Sequence, residues 1–104
     1  EKPVALGPRA IEALAEVARR SGRLCMPAHC MRFWPGWSDL RAAIAAGRLG
    51  RLRSATFRRL ASRPDWSPGF YGDPAQTGGA LFDLHVHDAD FVRWCLGEPR
   101  AVLA

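Results

Sequence analysis

Asp83 and His87 stand four residues apart in a stretch, Gly78 to Gly97, whose apolar residues Leu81, Leu84, Phe91 and Cys95 fall near one helical stripe. On a helix of about four turns that spacing puts the carboxylate and the imidazole on one face, with Asp90 one turn further on. A carboxylate so placed orients the ring and holds up its pKa, which suits a base that takes a proton from a hydroxyl near neutral pH. Exposed helices also carry such pairs without any chemistry. A second chemistry is open to the same segment. Drawn out as a strand, Asp83-Leu84-His85-Val86-His87 turns both imidazoles to one side, where a metal could be held with Asp88 or Asp90 nearby. Backbone period separates the two: a helix joins Asp83 to His87, and a strand joins His85 to His87.

The elements that must position these residues are punctuated by glycine and proline. Gly7-Pro8 opens a predicted helix over 8–21, with Ile11, Leu14 and Ala18 on one face, an i,i+4 pair of Glu16 with Arg20, and Gly22 as the stop. Arg23 to Met26 has the length and apolar character of a strand start, with Pro27 limiting its pairing. A second helix is predicted over 35–46, from Pro35 through Trp37, Leu40 and Ile44 to Gly47. Leu49 to Ala61 alternates roughly and predicts a strand with one wet face. Ser62 to Thr77, with its prolines, glycines, Trp66, Phe70 and Tyr71, reads as a long connection without a regular period. Trp34, Trp37 and Trp94 are expected as packing anchors, and Cys25 and Cys30 as core thiols. His29 is either a cleft residue or a satisfied structural histidine.

The chain has 104 residues, 48% hydrophobic and 24% charged, which is the composition of one folded domain at most. Its apolar runs fall short of a membrane span, and its N-terminus lacks a signal-peptide pattern, so a soluble, cytoplasmic protein is expected. Beginning without Met, it reads as an internal piece of a longer protein. Three cysteines without a C-x-x-C pair exclude a disulfide framework. The formal net charge is +5, and all but one of the 15 basic residues are arginines. Arg48, Arg51, Arg53, Arg58, Arg59 and Arg63 cluster, but with Phe57 as the one interleaved aromatic they read as a solvated face and not a nucleic-acid surface.

The segment 83–87 looks like the D-x-H-x-H stretch of metal-dependent amidohydrolases, although such barrels need many more strands downstream. A broader likeness runs through the whole chain. Glu1-Lys2-Pro3, the segment ending Arg32-Phe33-Trp34-Pro35, Gly47-Arg48-Leu49-Gly50, and Gly78-Gly79 through Asp83 to His87 together resemble the Gfo/Idh/MocA oxidoreductases, in consistent order. The resemblance implies an α/β fold in which residues 1–32 are the tail of a Rossmann NAD(P)-binding domain. Residues 33–104 would begin a C-terminal α/β domain with an open, mostly antiparallel sheet. It implies a hydride transfer between NAD or NADP and a secondary hydroxyl or ketone of a sugar, sugar derivative or cyclitol. Lys2 would sit beside nicotinamide and substrate, His87 would be the general base, and Asp83 would bind substrate hydroxyls and tune His87. Glu1 and Arg32 would line the cofactor side, and Tyr71 on the long connection could stack on a sugar ring. No metal is implied. Family members pair through the C-terminal sheet, so a homo-oligomer is expected of the full-length protein. The Gly-rich phosphate turn is absent here, so this piece alone is expected to be inactive and, with open sheet edges, marginal in stability. The alternatives are the metal-dependent hydrolase and a non-catalytic family member serving as a binding scaffold.

Overall fold

A computed structural model describes residues 2–62 and 64–103. Its helices are α1 (Pro8–Ser21), α2 (Pro35–Ala45), α3 (Pro68–Tyr71), α4 (Pro74–Thr77), α5 (Gly79–Asp83) and α6 (His85–Leu96), with a 3-10 turn over Cys30–Phe33. The chain forms two compact units, Glu1–Ala28 with Ala61–Val86, and His29–Leu60 with His87–Ala104.

In the first unit α1 has the predicted limits. Proline occupies its first turn, and Gly22 closes it in the left-handed region at φ 62°, donating its N–H to the Arg19 carbonyl. Glu16 pairs with Arg19 and, at 3.6 Å, with Arg20. The expected apolar face is present but uncovered, with Ile11 42% and Leu14 45% exposed. Two short helices, α3 and α4, lie within the connection expected to be irregular. Each starts on a proline, and Asp73 caps α4 by accepting the Ala75 N–H at 2.9 Å. A local cap of this kind is enough for one turn of helix but leaves no long apolar period to read.

The single helix expected from Gly78 to Leu96 is two helices, parted at Leu84 (φ −105°, ψ −49°). No glycine or proline breaks it. The carbonyl of Asp83 instead accepts from the Lys2 ammonium, which takes up the acceptor that a continuous ladder would offer to residue 87.

The second unit is built on α2, one residue shorter than predicted, and on α6. Trp37 and Phe91 meet edge to face at 4.7 Å, Phe57 stacks on Trp37 at 6.3 Å, and Trp94 closes on Phe91 at 6.0 Å. Trp37 and Trp94 are thus the packing anchors expected of them, whereas Trp34 is 52% exposed. Cys25 and Cys30 are exposed and not core: Cys25 lies outside every regular element, and the 3-10 turn that carries Cys30 buries Met31 instead; Cys95 is half-buried, and burial pushes its thiol pKa up.

Among the described residues there is no strand. Arg23 to Met26 and Leu49 to Ala61, both expected as strands, lie outside every regular element. A strand exists by its ladder, and no described segment supplies the partner. Apart from Phe57, the large apolar side chains of Leu49 to Ala61 are left in water, as is Leu24, with Leu24 and Leu60 almost completely exposed.

Gly78 is the tightest backbone position. It caps α4 at φ 73°, and a Cβ built there would lie 2.6 Å from the Phe82 Cβ and 2.9 Å from a Leu6 methyl. Gly79 has φ 71° with open space around it. Gly78→Ala should therefore lower the unfolding free energy of the intact protein by about 2 kcal/mol or more, and Gly79→Ala by about 1 kcal/mol, from backbone strain alone. Urea unfolding of both variants checks this; equal losses would remove the packing argument.

Candidate functional site

The chemistry-bearing residues gather in one cluster within each unit. In the first, the chain start brings Lys2 to the C-terminal end of α5, where its Nζ donates to the Asp83 carbonyl oxygen and to Asp83 Oδ1 at 2.5 Å. Each side chain is 19% exposed. Both face a cavity of about 380 Å³ whose walls include Leu6, Phe70, Tyr71 and Thr77. Tyr71 is held there by edge-to-face contacts with Phe70 at 5.2 Å and Trp66 at 5.5 Å. Lys2, Asp83 and Tyr71, singled out from sequence, are therefore brought together. Glu1 lies outside the described residues. Gln76 and Thr77, also on the cavity wall, were not singled out; the signal for them is Asp73-Pro74, a cap followed by a first-turn proline, which makes a helical turn of their segment. Asp73 also accepts from the Gln76 amide at 2.8 Å, and that bond, with the Ala75 N–H, holds its carboxyl below the usual range.

In the second unit α6 turns His87, Asp88 and Phe91 inward. Asp88 is 3% exposed. A buried carboxylate is costly unless it is paired, and Arg59 supplies the pair with a fork of Nε at 3.0 Å and Nη2 at 2.7 Å. Arg59 thus turns its guanidinium, with its side chain 28% exposed, to a buried acid, while Arg48, Arg51, Arg53 and Arg58 are exposed as expected of a solvated face and Arg63 lies outside the described residues. Composition could not reveal this pair, because nothing local distinguishes Arg59 from Arg58.

Two residues along, Asp90 takes a second fork from Arg32, Nε at 2.8 Å and Nη2 at 2.6 Å. The Arg32 guanidinium lies 5.5 Å from the Trp94 ring centre, and that of Arg41 5.6 Å from it. Hydrogen bonding by Arg32 holds the Asp90 carboxyl below the ordinary aspartate value against the opposing effect of burial, and the charges of His29, Arg32 and Arg93 add to the lowering. The Nδ1 of His29 lies 3.7 Å from Asp90 Oδ2, and its ring meets that of His87 at 6.2 Å, almost perpendicular.

His85 and His87 both fall in α6, not in a strand, so their side chains leave the axis about 200° apart. The same-side arrangement on which a metal reading depends is absent. Among the described residues no group of three or more His, Cys, Asp or Glu is disposed to hold a metal ion.

The family model of the GFO/IDH/MocA C-terminal domain matches residues 37–104. The chain is 41% identical over 98 residues to a myo-inositol dehydrogenase of Streptomyces leeuwenhoekii, covering 94% of this chain and 29% of that protein. It is 30% identical over 105 residues to a scyllo-inositol 2-dehydrogenase (NAD(+)) of Bacillus subtilis, with 93% and 27% covered. A 1,5-anhydro-D-fructose reductase of Ensifer adhaerens is 31% identical over 102 residues, with 97% and 31% covered. The chain belongs to the Gfo/Idh/MocA family. That membership implies an α/β class, of which the described residues contribute helices. The chain spans about three tenths of the length of these curated relatives. No solved structure gives a significant match. Among the described residues, no helix is long and apolar enough to cross a membrane.

The Asp90 pairing sets a pH dependence. A carboxyl whose folded pKa is depressed contributes stability that is fully present above the unfolded value of about 3.9 and is lost as pH falls through the folded one. Asp90→Asn should therefore be less stable than the parent at pH 6, with the gap narrowing steadily below about pH 4. Urea unfolding of the intact protein across that range measures it; a gap independent of pH would show that the ion pair carries none of it.

Proposed function

We propose that the intact protein is an NAD- or NADP-dependent oxidoreductase that moves a hydride between the nicotinamide and a secondary hydroxyl, or the matching ketone, of a sugar, sugar derivative or cyclitol. The names of the relatives support the reaction class, and one observation carries the assignment of the site. A lone lysine, the only one in the chain, is held against a carboxylate on the wall of a cavity that an aromatic side chain also lines.

The residues fit the nicotinamide end of such a cofactor. An ammonium has three N–H donors, and among the described residues those of Lys2 engage the two Asp83 acceptors, which leaves a donor for an oxygen in the cavity. No G-x-G-x-x-G stands in the chain, so the pyrophosphate is to be held by residues outside it. When bound, the nicotinamide supplies the hydride acceptor. Lys2 donates to the substrate oxygen and favours the developing alkoxide by its charge. Asp83 fixes Lys2 and accepts from substrate hydroxyls, and His87 is the general base that removes the hydroxyl proton. Tyr71 offers its ring face to the sugar or cyclitol. In this reading Glu1, outside the described residues, and Arg32 would line the cofactor side, Arg32 with its Nε and Nη2 already committed to Asp90.

In the same reading residues 1–32 are the tail of the Rossmann domain and 33–104 the start of the substrate domain. Leu49 to Ala61 then belongs to an open, mostly antiparallel sheet whose other strands supply the missing ladders, and subunits associate through that sheet. The protein is placed in the cytoplasm. Without the rest of both domains the piece is inactive.

Steady-state turnover of myo-inositol with NAD+ and with NADP+, followed by nicotinamide absorbance in the intact protein, tests this. Lys2→Ala and His87→Ala are each expected to lower turnover by about a hundredfold or more while each variant still unfolds cooperatively in urea. Turnover at the parent rate in either variant removes that residue from the mechanism.

A further inference from the structure

Thr77 lines the cavity beside Lys2, yet the mechanism gives it no task. It is 4% exposed, and its hydroxyl is engaged in both directions. Oγ1 donates to the Asp73 carbonyl at 3.2 Å and accepts the Gly79 N–H at 3.0 Å. A threonine hydroxyl has one proton to give, so that of Thr77 is already spent within the fold. With Tyr71 and Asp83, Thr77 lines both the cavity of about 380 Å³ and a second of about 280 Å³ that reaches Ser62.

What the hydroxyl holds is the joint between α4 and α5. Thr77 ends α4, and Gly78 and Gly79 follow with φ 73° and 71°. Two glycines in succession have many backbone conformations open to them, and the bond from Gly79 to Thr77 selects one. It also satisfies an N–H at the start of α5, where the cap residue, Gly78, has no side chain to do so. Packing gives α5 little direction, because its five residues are all exposed or half-buried, with Leu81 65% and Phe82 40% exposed. Such a helix is aimed from its two ends. Its far end is Asp83, whose carbonyl and carboxylate receive the Lys2 ammonium.

We propose that Thr77 is a positioning residue for the Lys2–Asp83 pair: its hydroxyl fixes the Gly78–Gly79 turn, the turn aims α5, and α5 presents Asp83 to Lys2 on the cavity wall. The proposal rests on the catalytic reading of that pair for its effect on turnover; the link from Thr77 to the pair is read separately, from stability.

Urea unfolding of the intact protein tests the link through a double-mutant cycle. Lys2→Ala is expected to lower the unfolding midpoint of the parent, and to lower it by about half as much or less once Thr77→Val has removed the hydroxyl. Thr77→Ala, which also lacks the hydroxyl, should match Thr77→Val, whereas Thr77→Ser should keep the parent's full response to Lys2→Ala. Equal effects of Lys2→Ala with and without the hydroxyl would overturn the proposal. Turnover of myo-inositol with NAD+ is the second readout. Thr77→Val should lower kcat/KM by about tenfold, the effect expected of one hydrogen bond, and Thr77→Ser should restore it. In the Lys2→Ala background Thr77→Val should cost little more. A tenfold fall that persists in full in that background would also overturn the proposal, since Thr77 would then act by a route other than the pair. A coupled unfolding cycle with turnover at the parent rate in Lys2→Ala would uphold the link and take the pair out of the mechanism.

Discussion

The bond from Lys2 to Asp83 is the constraint on which the first unit depends. It joins residues 81 apart in sequence, so it closes a very long loop. One ammonium holds both the backbone carbonyl and the carboxylate of the same residue, and that fixes where the helix may run as well as where the side chain points. The end of α5 at Asp83, the turn at Leu84 and the wall of the cavity all follow from it. A part-buried ion pair is a poor way to gain stability, because desolvation offsets much of the attraction and a well-packed apolar pair serves as well. Its presence beside a cavity suits the proposed role, in which a fixed ammonium and carboxylate bind a hydroxylated substrate.

The helical half of the fold was largely legible from sequence, because glycine and proline mark helix ends through local backbone preferences that tertiary contacts seldom reverse. Pro8 with Gly22 and Pro35 with Gly47 bound α1 and α2 to within a residue or two. The division of the last helix was not legible. Its cause is a side chain 81 residues away, and nothing between Phe82 and His87 announces it. Predicted strands fared differently again. Alternation at Leu49 to Ala61 reports a segment fit to enter a sheet, but a ladder is a property of two segments, and no described segment pairs with it. Leu60 at 94% exposure and Leu103 at 99% are what such unpaired apolar stretches leave behind.

At the site, the residues found from motif spacing sort by unit. Lys2, Asp83 and Tyr71 share one cavity, whereas His87 and Arg32 belong to the other unit. The motif made Asp83 and His87 readable as partners on one helix, and the break at Leu84 puts them on two. The arginine partners of Asp88 and Asp90 were invisible for a different reason. Both acids sit in a run of charged and aromatic residues where helical phase alone does not say which one faces inward.

The inward face of α6 carries the remaining argument. A helix that packs against a neighbour ordinarily buries an apolar stripe, yet here two of its three buried residues are His87 and Asp88. Burying Asp88 required Arg59, and half-burying Asp90 required Arg32. Each acid is thereby neutralised by a group that stays charged at any physiological pH. What remains on that face is the imidazole of His87, with the ring of His29 edge-on to it at 6.2 Å. A packing element has no use for such an arrangement, since apolar residues of similar volume would hold α6 in place with no desolvation to offset. The proposed mechanism does have a use for it, because the matched charges of Asp88 and Asp90 leave the imidazole of His87 to accept the substrate proton.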